Sequence, residues 1–143
     1  MSEENKALQR REMEEVWNQK NLAAIDEFYA PDFVNHSAPP GMPHDLEGLK
    51  ALIGMYFGAF PDLQLTAEFQ VAEGDKVVVR WIVTGTHTGE LMGIPATGKS
   101  IRTTGIAINR IVGGKIAEVW FESDQMDMMQ QLGVISQSVA AER

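Results

Sequence analysis

Few residues of this chain have the types and settings needed for chemistry. His36 closes the segment Asp32-Phe33-Val34-Asn35-His36 and precedes Ser37-Ala38-Pro39-Pro40-Gly41-Met42-Pro43. An imidazole there could serve as a base, since its ordinary pKa of about 6.5 lies near working pH, or it could anchor the proline loop to backbone. Asp124, where the last apolar-alternating run ends, is a second acid–base candidate; its structural alternative is an ion pair with Arg102. His36, His44 and His87 do not have the helical spacing of a metal site, so no metal is expected. Gly93-Ile94-Pro95-Ala96-Thr97-Gly98-Lys99-Ser100 spells a phosphate-binding loop letter for letter. Such a loop needs a helix after its Lys-Ser, and the β-branched run from Ile101 to Ile108 predicts a strand instead. The match is read as coincidence.

Composition narrows the classes further. With 143 residues the chain is expected to form one domain over 1–143, its last residues 136–143 frayed. It carries no cysteine, which excludes disulfide scaffolds, thiolate nucleophiles and Cys-ligated metal. A net charge of −8 disfavours nucleic acid and anionic membrane surfaces as partners. The start lacks the pattern of a signal peptide, and no apolar run could span a bilayer, so a cytoplasmic location is expected.

The elements that must position these residues follow from periodicity. Residues 3–18 read as an amphipathic helix with Leu8, Met13, Val16 and Trp17 on its apolar side. A short second helix carries Leu22, Ile25, Phe28 and Tyr29 and stops at Pro31, and Asp32–His36 is a brief extended piece. Asp45 caps a third helix with an apolar stripe from Leu49 to Phe60. The period then becomes two: Leu63–Val71, Val77–Thr88, Ile101–Val112 and Lys115–Asp124 are strands, and a closing helix precedes Gly133. Three helices followed by antiparallel strands make an α+β domain, a curved sheet with helices on one face. The loop 89–98 either packs against the helices or forms a lid over a cavity.

The last hairpin decides which side chains share a face. A two-residue turn at Gly113-Gly114 pairs Val112 with Lys115 and sets Asn109 opposite Glu118. A three-residue turn pairs Ile111 with Lys115, Arg102 with Asp124 and Ile106 with Trp120, and is preferred because it gives carboxylates cationic neighbours. One face then holds Arg102, Arg110, Glu118, Trp120 and Asp124, the other Gly105, Ala107, Asn109, Val119 and Phe121. Either could line a pocket.

Several stretches together resemble the SnoaL-like polyketide cyclase (ester cyclase) family of the NTF2-like superfamily. They are Asp32–His36, Ala59-Phe60-Pro61-Asp62-Leu63, Ala72–Val77, Arg80-Trp81, Gly85–Gly89, Gly93–Lys99, Arg110-Ile111, Gly114–Ile116, Glu118–Trp120, Asp124 and Gln131–Gly133. The resemblance implies a cone-shaped α+β barrel: a strongly bent, mostly antiparallel sheet with three N-terminal helices closing a hydrophobic pocket. It also implies a homodimer and cofactor-independent chemistry on a small apolar or polyketide-like ligand. In the cyclases the acid–base Asp aligns with Phe121, and the assisting Gln and His align with Gly105 and Ala107, all apolar here. The same departure disfavours epoxide hydrolysis.

Two functions follow as expectations. The first is proton transfer next to a carbonyl, by aldol cyclisation or isomerisation. His36 is the base, Asn35 and His87 are oxyanion donors, and Asp124 is the second acid–base candidate. Asn35, Trp81, Met92, Trp120 and Phe121 are expected to bind substrate. The second function is a non-catalytic small-molecule binder, favoured by the apolar residues at the cyclase positions.

Overall fold

The computed structural model describes residues 2–135; the tail expected to fray, 136–143, lies outside the described residues. The first helix, α1 (Ser2–Glu12), continues into a wider π-helical turn, Met13–Asn18, with i→i+5 bonds from Gln19 N to Glu14 O (2.9 Å) and from Asn21 N to Val16 O (3.0 Å). A 3₁₀ turn, Leu22–Ala24, leads to the short α2 (Ile25–Phe28). Tyr29, expected on that helix, instead opens strand β1 (Tyr29–Asn35). Pro31 disfavours helical backbone at Ala30. As β1 is an edge strand, its missing N–H costs little.

Helix α3 (Leu46–Ala59) starts where expected, with the Asp45 carboxylate accepting from Gly48 N. Strands β2 (Gln64–Glu73), β3 (Lys76–Thr86), β4 (Ser100–Val112) and β5 (Lys115–Ser123) follow, then α4 (Gln125–Leu132), which ends at Gly133 in the left-handed region. They form one sheet in the order β1-β5-β4-β3-β2. β1 runs parallel to β5, and the other neighbours are antiparallel. Ser100 begins β4 directly, so no helix follows Lys99-Ser100.

The β4–β5 hairpin departs from both expected registers. Gly113 and Gly114 both have positive φ (58° and 77°) in a two-residue turn that pairs Val112 with Lys115. Continued unchanged, that register would put Glu118 opposite Asn109 on the helix-covered face. A bulge at Ala117 adds one residue to β5, so Asn109 faces Val119, Ala107 faces Phe121, and Arg110 lies directly opposite Glu118. The faces are those of the preferred register, but each β4 partner is displaced by two positions. Asp124 therefore caps α4 through Asp127 N (3.0 Å) and does not pair with Arg102.

Two apolar clusters lie between sheet and helices. One gathers Val16, Ile25, Phe28, Phe33, Ile53 and Val77; the other gathers Phe60, Leu63, Ile101, Met128 and Leu132. The second includes Leu91, which brings the 89–98 loop down onto α3 and α4. Packing, rather than a lid, is what this loop's buried leucine does.

Candidate functional site

Between the helices and the inner face of the sheet lies a cavity of about 150 Å³. Its walls are mostly apolar, from Leu52 and Ile53 on α3, Val79 and Trp81 on β3, Ala107 on β4, and Val119 and Phe121 on β5. Gly105 makes one wall possible: a Cβ there would sit 2.1 Å from the Trp81 ring. The indole thus occupies the space that a side chain at position 105 would need. Thr84, Asp124 and Gln125, all exposed, mark the mouth.

The inner end is polar and comes largely from α1. Glu12, 4% exposed, lines it together with Gln9, Tyr29 and Asn109. Glu12 Oε2 accepts from the Tyr29 hydroxyl (2.7 Å) and from Trp17 Nε1 (3.1 Å). The i→i+5 turn matters here, because it brings Trp17, five residues on, over Glu12. Oε1 has no partner among the described residues and borders the cavity. Burial pushes the Glu12 carboxyl up to about 7, against the opposing pull of the two donated bonds. The Tyr29 phenol is raised well above its ordinary value, first by burial and then by the adjacent carboxylate, so it stays protonated and donates.

Of the expected site residues, Trp81, Phe121 and Asp124 line this cavity. The others do not. His36, expected at the pocket mouth, stacks on Trp120 (4.7 Å between centroids, 8° between planes) and bonds Glu118 Oε1 at 3.0 Å. Glu118 also receives Arg110, and that pair with His36 holds the Glu118 carboxyl below the usual range. The reason is alternation: Phe121 points inward, so its neighbour Trp120 and everything stacked on it point outward. Asn35 is buried, but its Oδ1 accepts from Ser37 N (2.9 Å) and its carbonyl meets His44 Nδ1 (2.9 Å), which fastens the proline loop. His87 is fully buried, yet it faces the 89–98 loop, where Nδ1 accepts from Thr97 N (3.3 Å) and its ring lies against Phe60. Its Nε2 meets no partner among the described residues. Met92 sits half-exposed at the tip of a tight turn, φ 46°, because its neighbour Leu91 takes the buried place.

Glu12 escaped the sequence reading because residues 3–18 look like an ordinary helix whose carboxylates face water. A signal was there, however: Leu8, Glu12 and Val16 recur every four residues, which puts the carboxylate inside the apolar stripe.

The chain matches the model of a family described as "SnoaL-like polyketide cyclase" over residues 7–132. It is 29% identical over 126 residues to the nogalonic acid methyl ester cyclase of Streptomyces nogalater, covering 85% of this chain and 92% of that protein. Among solved structures it is similar to AclR of Streptomyces galilaeus, a hydroxylase candidate (TM-score 0.85, 31% identity, 99% of this chain and 92% of that one). It is also similar to IdmH of Streptomyces antibioticus (TM-score 0.79, 34% identity, 90% and 98%).

Proposed function

Because the chain belongs to the SnoaL-like polyketide cyclase family, we propose that its cavity removes a proton next to a carbonyl of a small, largely apolar ligand, with Glu12 as the acid–base group. The observation that carries this is the buried Glu12 carboxyl, with Oε1 open to the cavity and a pKa near 7. A carboxylate so placed is basic enough to take a proton from carbon near neutral pH and acidic enough to return it. Tyr29 and Trp17 hold Oε2, so the free oxygen stays aimed at the ligand.

The step balances without an external oxidant. Glu12 Oε1 takes the α-proton, the C–H electron pair becomes the enolate double bond, and charge moves to the carbonyl oxygen. The enolate carbon then attacks a second carbonyl carbon, and the Glu12 proton quenches the new alkoxide. In an isomerisation the proton returns to a different carbon instead. A cavity of about 150 Å³ holds roughly one aromatic ring, so a longer ligand extends through the mouth past Asp124 and Gln125.

The test is α-proton exchange of a one-ring ketone, 1-(4-fluorophenyl)propan-2-one, followed by NMR in D₂O. The protein accelerates exchange, and Glu12→Gln lowers the protein-dependent rate by roughly 10²–10⁴-fold. An unchanged rate in the variant overturns the assignment. The absence of a polar side chain at Gly105, Ala107 and Phe121 favours the second reading, a binder without turnover. Under that reading wild type and variant bind the ketone alike and neither exchanges it. In either reading two copies of the chain meet through the outer sheet face.

A further inference from the structure

Two amide groups that line the cavity keep hydrogen-bonding capacity that the fold does not use. Asn109 is 5% exposed, lies between Val77 on β3 and Val119 on β5, and lines the cavity. Its carboxamide has no hydrogen-bond partner among the described residues. Gln9, 2% exposed, spends Oε1 on Gln70 Nε2 (3.1 Å), while its own Nε2 donates to nothing among the described residues. An unpartnered amide in an apolar wall is costly to keep there, and a valine or leucine at position 109 would continue the wall without a polar atom. We infer that Asn109, with Gln9 on the wall of the same cavity, forms a carbonyl-binding subsite, which takes the oxygen of the ligand's reacting ketone or ester group while Glu12 faces the adjacent carbon.

The inference rests on the proposed proton transfer and extends it to the class of ligand: a ring-bearing ketone or ester that enters carbonyl first. The two donors meet charge that develops on the oxygen as the α-proton leaves, in a site shielded from water, where such bonds gain strength. Glu12 cannot fill this role when ionised, since it then has no proton to donate, and the Tyr29 hydroxyl is already committed to Oε2. Of the polar groups that surround Glu12, the amides remain as donors for the oxygen.

The experiment compares 1-(4-fluorophenyl)propan-2-one with the hydrocarbon in which C=CH₂ replaces its C=O, with binding followed by ¹⁹F NMR. The two are alike in shape and differ in the acceptor. Wild type prefers the ketone by about three- to tenfold, the worth of one or two neutral hydrogen bonds. Asn109→Leu abolishes that preference, leaves hydrocarbon affinity within about twofold, and raises the melting temperature. A merely structural asparagine would instead lower it on substitution. Asn109→Ser, too short to reach the ligand, repeats the loss of preference if the leucine variant does not fold. A preference that survives in these variants, or its absence from wild type, overturns the inference. Glu12→Gln separates the two claims: it keeps the ketone preference while losing exchange. Preference without any exchange therefore defeats the acid–base reading alone, and exchange without preference defeats the subsite alone.

Discussion

Replacing Glu12 by glutamine should make the protein more stable at alkaline pH, by an amount the structure allows to be worked out. The carboxyl moves from an ordinary 4.5 to about 7 in the fold, with burial as the main cause. A folded pKa above the unfolded one means that the fold favours the protonated acid. This contribution is complete below about pH 4.5 and is lost as pH rises through 7. At about 1.4 kcal/mol per tenfold, the loss is ~3 kcal/mol for a carboxyl as deeply buried as this one. Glutamine keeps an oxygen to accept from Tyr29 and Trp17 but never ionises, so it escapes the loss. Urea denaturation at pH 5 and at pH 8.5 measures both forms. The variant should match wild type within about 1 kcal/mol at pH 5 and exceed it by ~3 kcal/mol at pH 8.5, or roughly 10 °C in melting temperature. In the same buffers, wild-type exchange should rise through pH 7 as Glu12 ionises. Parallel stability curves for the two proteins would show that Glu12 titrates normally, and the acid–base role would fall with it.

Gly105→Ala should destabilise by about 1–3 kcal/mol in urea, since its Cβ meets the Trp81 ring; Trp81→Phe in the same chain should recover part of the loss, and a neutral Gly105→Ala would refute the packing account. His36→Gln should leave exchange within about twofold of wild type, because the imidazole stacks on Trp120 outside the cavity; a 10²-fold loss would return it to the mechanism. Exposed Ile106 and half-buried Ile82, Ile108 and Trp120 share the outer sheet face, an apolar patch that water covers poorly. Sedimentation should find a dimer at tens of micromolar, as a standard-sized interface would give, with Ile106→Lys shifting it toward monomer; a monomeric wild type contradicts this. ATP should leave the melting temperature unchanged, since β4 and not a helix follows Lys99-Ser100, and a shift that disappears in Lys99→Ala would refute that.

Most of the elements were legible in the sequence because they rest on local causes. Alternation marked β2 to β5, Asp45 sits at a helix start where its carboxylate caps a free amide, and Gly133 ends α4 because its φ of 80° suits glycine. The β-branched run after Ser100 was enough to dismiss the phosphate loop. Tertiary structure decided what meets across the fold. One extra residue at Ala117 chose between a Glu118 facing the cavity and a Glu118 facing Arg110, and a hairpin turn alone would have chosen the other way. His36 went outward because the same pleat that turns Phe121 inward turns Trp120 away from it. Glu12 became the buried carboxylate through a π-helical turn that lifts Trp17 over it and through a tyrosine seventeen residues away. Local sequence sets backbone preference over a few residues, whereas burial, register and pKa depend on groups that only the closed chain brings together.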